Sequence, residues 1–479
     1  MSRMNLWPRM AKAVLFLLFV ALALAGCMVG PNYVRPRVVT PEAFKEIDGW
    51  KKAEPADHLL RGKWWEIFND SALNALEEQI SISNQNVAAA EAQFRQARAL
   101  VQVARSAYFP TATIGPSFSR SFQATAQAPS VPVSLWTLPV DVTWEPDLWG
   151  RVRRSVEASR ATAQASAADL QGVLLSSQAQ LAEDYFQLRA LDAQSQMLNE
   201  TVEAYRKSLE LTQNRYRSGV ASRGDVLQAD TQLKTTQAQL IDVGVQRGQL
   251  EHAIALLVGK PPSDLSLPVA ALALDTLPPA IPVGVPSVLL ERRPDVAGAE
   301  RRMASANAQI GVALAAYYPS LTLTGEAGYQ TLDLAKWLTW PARFWGVGPS
   351  VSEIVYDGGL RKAQTRQARA AYDGAVASYR QTVLTGFQEV EDNLAALRIL
   401  EQEAQAQGEA VKLAEQSLAV VTNQYKSGTV AYLNVIVAQT IVLSNKVTAI
   451  NILGRRMTAA ALLIMALGGG WDVAQLPAE

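Results

Sequence analysis

Two copies of one segment are joined head to tail in this chain, and a duplicated unit limits the possible folds more than any compositional statistic. Around Pro110 the sequence reads AEAQFRQARALVQVARSAYFPTATI, and around Pro319 it reads AERRMASANAQIGVALAAYYPSLTL. NRYRSGV starts at Asn214 and NQYKSGT at Asn423, while Leu188-Arg189 matches Leu397-Arg398. All three landmarks share an offset of 209 residues. The expected organisation is a signal peptide at 1–26, an extended segment at 27–70, a first repeat at 71–260, a linker at 261–294, a second repeat at 295–470 and a tail at 471–479.

Each copy reads as helix, strands, then long helices. The first opens with an Ala-rich helical run at 72–107, closed by Tyr108-Phe109-Pro110. About forty residues with strand-like alternation follow, and then no proline occurs from 151 to 260. The second copy has none from 350 to 476. Ala, Gln and Leu dominate these stretches, which favours helix. Leu198, Val202, Tyr205, Leu209, Thr212 and Tyr216 step by 4, 3, 4, 3, 4, the spacing of a coiled-coil seam. A helix over 151–217 would be about 100 Å long at 1.5 Å per residue. Small residues on several of its faces suit a stave with neighbours on both sides, as in a cylinder wall.

The strand segments are two-faced. Trp136, Leu138, Val140, Val142 and Trp144 alternate with Thr137, Pro139, Asp141, Thr143 and Glu145. Leu321, Leu323, Gly325, Ala327 and Tyr329 alternate with Thr322, Thr324, Glu326, Gly328 and Gln330. A weaker version at 111–123 places Ile114, Phe118 and Phe122 outward, and one at 344–356 loses phase near Glu353, which suggests a bulge. An apolar face against a polar face that carries carboxylates is the pattern of a barrel strand between lipid and water. Trp136, Trp144, Trp337, Trp340 and Trp345 are the expected interfacial aromatics, and 123–131 and 333–343 the expected external loops. Two strands per copy make four per chain. Four strands cannot close a barrel, and lipid tolerates no open edge, so the chain must oligomerise.

Composition removes other classes. Formal charge is zero, with 44 basic and 44 acidic residues, so no basic surplus points to nucleic acid. Two histidines and one cysteine leave no disulfide framework and no Cys/His metal cluster, so no metal or other cofactor is expected. Nucleophilic catalysis would need a positioned base, and neither His58 nor His252 lies in a recognisable motif. At the N-terminus, Arg3, Arg9 and Lys12 precede an apolar run at 13–25 too short to span a bilayer, ending in Leu24-Ala25-Gly26-Cys27. This resembles a bacterial lipobox, with covalent lipid expected on Cys27 and, because Met28 follows, an outer-membrane destination. A single lipidated residue would hold the chain to a leaflet without making it span.

Several short motifs now stand in a telling order: Gly30-Pro31-Asn32-Tyr33 with Pro36; Trp64-Trp65 with Phe68, Asp70, Leu73 and Leu76; Arg292-Arg293-Pro294-Asp295 with Ala299-Glu300; Ile310-Gly311 leading to Tyr318-Pro319; and the duplicated Tyr-x-Ser-Gly turn. Over essentially the whole mature chain they resemble the TolC-like outer-membrane factors, and more closely the NodT-type efflux lipoproteins. The resemblance implies a mainly α fold with a transmembrane β part: a homotrimer with a twelve-stranded barrel and a helical coiled-coil tunnel. It implies a non-enzymatic export duct for small molecules such as drugs and toxic compounds, working with a periplasmic adaptor and an inner-membrane transporter of the resistance-nodulation-division class. Service in type I protein secretion, or a purely structural coiled-coil lipoprotein, are the alternatives.

The same resemblance assigns roles to residues. The helix reversals would be adaptor-docking tips, with Arg215, Tyr216, Arg217, Ser218, Gly219, Val220 and Ser222 in one and Tyr425, Lys426, Ser427, Gly428 and Thr429 in the other. Asp225 and Asp230, with Asn434 and Val437, would line the tunnel entrance. The family commonly carries Asp near the last two positions, so this aperture is expected to be less acidic and more apolar than usual, with weaker cation block. Asp141, Glu145 and Glu326 would face the barrel interior.

Overall fold

The computed structural model describes residues 28–37, 40–41, 43–47, 62–122, 132–273, 276–281 and 292–476. The signal segment, Cys27 and the expected loop at 123–131 lie outside them. Seven α-helices and five strands make up the regular structure of the described residues: α1 (Ser71–Ser83), α2 (Gln85–Ser106), β1 (Thr111–Ile114), β2 (Ser117–Ser121), β3 (Val133–Trp144), α3 (Arg151–Arg217), α4 (Arg223–Leu257), α5 (Pro294–Ala315), β4 (Ser320–Thr331), β5 (Arg343–Ser352), α6 (Leu360–Lys426) and α7 (Tyr432–Ala466). The helices α2, α3 and α4 recur as α5, α6 and α7, each with the same length and each 209 residues further on.

Local chemistry sets the ends of the two 67-residue rods. Gly150 and Gly359 precede them with φ of 81° and 92°, a region that favours glycine. The Asp147 carboxylate accepts from the Val152 and Arg153 amides at 3.1 and 2.9 Å, and Asp357 accepts from the Gly359 and Arg361 amides at 2.9 and 3.1 Å. These bonds satisfy amides that lack intrahelical partners. The Arg361 side chain and these amides hold the Asp357 carboxyl down at about 2. At the far ends, Gly219 and Gly428 (φ 76° and 81°) turn the chain back.

The rods α3 and α6 are flanked twice. Near the sheet, α2 packs on α3, α3 on α5, and α5 on α6; further away, α4 packs on α3, α3 on α7, and α7 on α6. The short helices abut end to end beside each rod. Asn84 caps α2 by accepting from the Asn86 and Val87 amides at 2.9 and 3.0 Å, and its Nδ2 donates to the Leu257 carbonyl that ends α4 at 2.7 Å. A continuous helix at 72–107 was expected. The structure breaks it at Asn84, whose extended backbone makes room for the turn after α4. A Cβ on Gly259 in that turn would lie 2.1 Å from the Ser83 carbonyl oxygen.

Around these junctions sits the main apolar core, which includes Trp64, Trp65, Leu73, Ile80, Tyr185, Phe186, Leu394, Leu453, Met457 and Leu463. Each such side chain contributes about 1.5–3 kcal/mol on burial. Of the six seam residues of α3, Leu198, Val202, Tyr205 and Thr212 are buried and Leu209 is half-buried, with Leu198 on Val243 and Leu443 and Val202 and Tyr205 on Leu233, while Tyr216 at the end is exposed.

The N-terminal segment is stapled across both halves. The Val29 amide donates to the Trp149 carbonyl at 3.1 Å, and the buried Arg154 donates to the carbonyls of Val29 and Gly30 and to Asn32 Oδ1. Lower down, Tyr33 Oη donates to Glu300 at 2.8 Å, Arg35 to Tyr379 Oη, and the Lys45 and Glu46 amides to Glu391. Gly30 abuts Gly311 so closely that a Cβ would lie 2.5 Å from its Cα.

The sheet is antiparallel in the order β1/β2, β3, β4, β5. The run at 111–123 forms two short strands in one unbroken register on β3, interrupted at Gly115-Pro116 because proline has no amide to donate. The expected bulge near Glu353 is absent: β5 pairs regularly until Ser352 faces Ser320, and then ends. Glu145 lies one residue beyond β3, where Arg151 Nη2 donates to it at 2.9 Å.

Candidate functional site

Cross-strand pairing sorts the sheet into two chemistries. On one face Ile114 opposes Val140, Val140 opposes Ala327, and Ala327 opposes Trp345; Phe118 opposes Trp136, and Leu138 opposes Tyr329. On the other face Thr111, Thr143 and Thr324 share a row, and in the next Thr113 opposes Asp141, Asp141 opposes Glu326, and Glu326 opposes Gly346. Two carboxylates directly opposite are unfavourable in a dry sheet and tolerable only beside water. Trp345 and Val347 are more than three-quarters exposed on the apolar side.

Aromatic residues mark both ends of this apolar band. Phe118 packs at a tilt on Trp136 with ring centroids 4.2 Å apart, and Trp136 on Trp337 at 5.6 Å. At the rod end Trp149 stacks on Tyr318 at 4.8 Å, and Trp144 Nε1 donates to the Tyr108 carbonyl at 3.0 Å. From Trp136 to Trp144 the strand runs about 27 Å along its own axis, which at a barrel strand's tilt of about 40° covers about 20 Å of the apolar band's height. Of the five tryptophans expected at the interfaces, Trp136, Trp144 and Trp337 belong to these clusters, Trp340 lies beyond, and Trp345 stands mid-band.

The opposite end of the molecule holds the two helix reversals. They meet side by side: Arg215 Nη1 donates to the Lys426 carbonyl at 3.1 Å, and its guanidinium stacks on Tyr425 at 4.7 Å. Tyr425 packs on Tyr432, whose hydroxyl bonds Ser208 Oγ at 2.9 Å; burial pushes the Tyr432 phenol upward. Between the turns lies an open cleft of about 430 Å³ lined by Asn214, Arg215, Ser218, Val220, Lys426, Ser427 and Gly428. Tyr216, Arg217, Ser222 and Thr429 surround it at the surface of the same turns.

The expected entrance residues take different positions. Asp225 forms a capping box with Ser222: its carboxylate accepts from the Ser222 amide at 2.9 Å, and its own amide donates to Ser222 Oγ at 3.1 Å. Asp230 is half-buried on α4, while Asn434 and Val437 are exposed on α7. Val437 is flanked one turn away on each side by Leu433 and Ile441, and all three are about half exposed. The spacing of four residues makes them one apolar stripe. The flanking helices α4 and α6 also carry exposed apolar rows, Leu227, Ile241 and Val245 on one and Leu384, Ile399 and Leu413 on the other. Sequence reasoning missed these rows; the two-heptad steps from Leu227 to Ile241 and from Ile399 to Leu413 are the signal that could have found them.

A sheet apolar outside and polar inside, fused to two rods of about 100 Å, defines an outer-membrane channel subunit with a long aqueous tunnel. The chain belongs to the family described as "Outer membrane efflux protein", whose profile matches residues 76–260 and again 285–469. It is 29% identical over 469 residues to the probable efflux pump outer membrane protein TtgC of Pseudomonas putida, covering 96% of each chain. It is 26% identical over 456 residues to the cation efflux system protein CusC of Escherichia coli, covering 95% of this chain and 98% of that one. The solved structure of the outer-membrane channel OprN superposes with a TM-score of 0.87 at 30% identity, over 93% of this chain and all of that one. The protein is thus an outer-membrane component of efflux, in a family whose members are ducts.

Proposed function

We propose that three copies of this chain close into one passive duct that carries small organic molecules, drugs and toxic compounds among them, from a periplasmic adaptor and an inner-membrane transporter of the resistance-nodulation-division class to the exterior. The observation that carries this is the two-faced sheet whose two edges, β1/β2 on one side and β5 on the other, are unpaired among the described residues. An open edge in lipid leaves backbone groups unsatisfied at several kcal/mol each, so neighbouring copies must supply the pairing. The apolar rows of α4 and α6, on the outer flanks of the helical layer, fit the same closure. Asp141 and Glu326 then line the barrel lumen, with Glu145 at its lower rim.

The reversals at 215–222 and 425–429 dock the adaptor, through the cleft between them. Asn434 and Val437 face the narrowing tunnel with Leu433 and Ile441, an apolar collar that favours organic cargo over ions. Asp225 and Asp230 stand on the helix alongside. The lipid on Cys27 holds the N-terminal strap at the membrane, one residue from Met28, which lies against Gly150.

Planar-bilayer recording of the purified protein, beside its migration with and without heating, tests the duct. Discrete conductance from a heat-dissociable trimer is expected. A monomer without conductance overturns it. Sensitisation of a deletion strain to organic toxicants, restored by the intact gene, tests the cargo class.

A further inference from the structure

We propose that at each seam between protomers the outer wall of the barrel carries a seat for a phosphate-bearing lipid headgroup, formed by Arg120 of one protomer and Arg343 of the next. The inference rests on closure of the barrel by neighbouring copies and is independent of what the duct exports.

Both arginines lie on the lipid face. Arg120 opposes Ser134 two residues beyond the pair Phe118–Trp136, so it shares their face. Arg343 opposes Tyr329, which opposes Leu138 on the same apolar side. Both also lie at the rim furthest from the helices. Arg120 is the next-to-last residue of β2, and Arg343 is the first of β5. The rim drifts across the rows as tilted strands require. It stands at Ser121–Val133 on β2 and β3, at Thr331 opposite Trp136 on β4, and at Arg343 opposite Tyr329 on β5. Continuing that drift by one strand brings the start of β5 beside the end of the neighbouring β2.

These two strands are the free edges of the sheet among the described residues. Closure therefore places them antiparallel side by side, and a seam step of one row, which keeps both arginines on the lipid face, sets Arg120 opposite Trp345 and diagonal to Arg343. Diagonal neighbours on adjacent strands stand about 7–8 Å apart, within reach of one phosphate group for two arginine side chains. The height suits a headgroup: the Phe118–Trp136–Trp337 cluster marks the upper edge of the apolar band, and the arginines stand at and above it. Arg343 is held there by its Nε bond to the Trp340 carbonyl at 3.1 Å, with its guanidinium over the Trp340 ring. No carboxylate among the described residues pairs with either arginine. Two planar guanidinium forks with no internal counter-ion match phosphate oxygens, which they bind bidentately.

The test uses detergent-extracted trimers and native mass spectrometry, with bisphosphorylated lipid A as probe. Dephosphorylated lipid A and inorganic phosphate serve as the two control arms. Wild type is expected to retain phosphorylated lipid, at most one per seam, and to lose it on dephosphorylation. Affinity should fall roughly ten-fold for each of Arg120→Gln and Arg343→Gln. Lys336→Gln, on the same rim and paired with Asp333, should change nothing. Equal retention by the double Gln variant, or equal binding of the dephosphorylated lipid, overturns the proposal. Displacement of the lipid by inorganic phosphate at matched concentration overturns it in favour of a free-anion site. Should the double Gln variant fail to assemble, the double Lys variant decides: it keeps the charge, loses the fork and must bind several-fold more weakly. Gel migration reads assembly separately, so failure of trimer closure is distinguishable from failure of the lipid seat.

Discussion

Asn84 and Arg293 stand 209 residues apart and perform one task with different chemistry: Asn84 Nδ2 donates to the carbonyl of Leu257 at 2.7 Å, and Arg293 Nη1 donates to that of Ala466 at 3.0 Å, again 209 residues on. Each splices the end of a return helix onto the start of the next helix beside its rod. Arg293 also bonds Asp295 and Glu389, each at 2.7 Å. Asn84→Ala should cost about 1–2 kcal/mol through the lost cap and the orphaned carbonyl. Arg293→Ala should cost about 2–3 kcal/mol, because it strands the Ala466 carbonyl and unpairs Glu389, which is partly open to water. The midpoint of heat dissociation measures both, and a milder effect at Arg293 would contradict the assignment.

The turn beside each splice requires glycine. Gly259 and Gly468 have φ of 70° and 95°, and a Cβ on either would lie 2.1 Å from a carbonyl oxygen, of Ser83 and Arg292 respectively. Alanine at either should abolish or severely reduce assembly. Gly219→Ala, with a similar φ of 76° but open space around it, should cost only the left-handed penalty of about 1–2 kcal/mol. Comparable yields of folded protein from all three variants would refute the steric account.

Glu77 is fully buried in α1, and neither carboxylate oxygen has a hydrogen-bond partner. Burial raises its pKa well above the ordinary glutamate value of 4.5. The native state therefore keeps the proton longer than the unfolded chain does, and stability declines as pH rises from the unfolded value through the folded one. Glu77→Gln should remove this dependence. The stability difference between variant and wild type should grow in favour of the variant from acid towards neutral pH. A difference that is flat with pH would show that Glu77 does not titrate this way.

Near the helix reversals, Asp225 is committed to a capping box while Asn434 and Val437 are exposed. Asp225→Ala should cost about 1 kcal/mol of helix stability and leave cation block of the conductance unchanged. Asn434→Asp should introduce block by divalent cations at low concentration. Strong block in the wild type, lost on substituting Asn434 but not Asp225, would contradict the apolar aperture.

On the polar face of the sheet, Asp141 and Glu326 oppose each other. Glu326→Gln should lower cation selectivity, read as a reversal potential nearer zero in a salt gradient, without loss of trimer. No change would place these carboxylates away from the ion path.

The sequence announces its rods because the signals are local: no proline, and glycines at 150, 219, 359 and 428 that end or start helices whatever packs around them. The two-faced strands were equally legible, since a period of two survives without tertiary context. The break at Asn84 was hidden. Ala- and Gln-rich helix formers lie on both sides, and the cause of the break is the turn at Gly259, some 175 residues away. The repeat could have exposed it, because Pro294, at the first turn of α5, marks the same position in the second copy. Asp225 has a local role beside the one that the resemblance implies, as half of the capping box with Ser222. A carboxylate three residues after Ser222 at a helix start is a local cap before it is anything else.

The strap from Met28 to Ile47 ties chain order to assembly order. Its partners run from Trp149 through Gly311 to Tyr379 and Arg398, in elements from both halves. The lower strap, at Arg35 and Glu46, thus has no complete seat until Tyr379 and Arg398 have been synthesised. Until the sixth helix has taken shape, that stretch is a loose leash, and its capture reports that both halves have met.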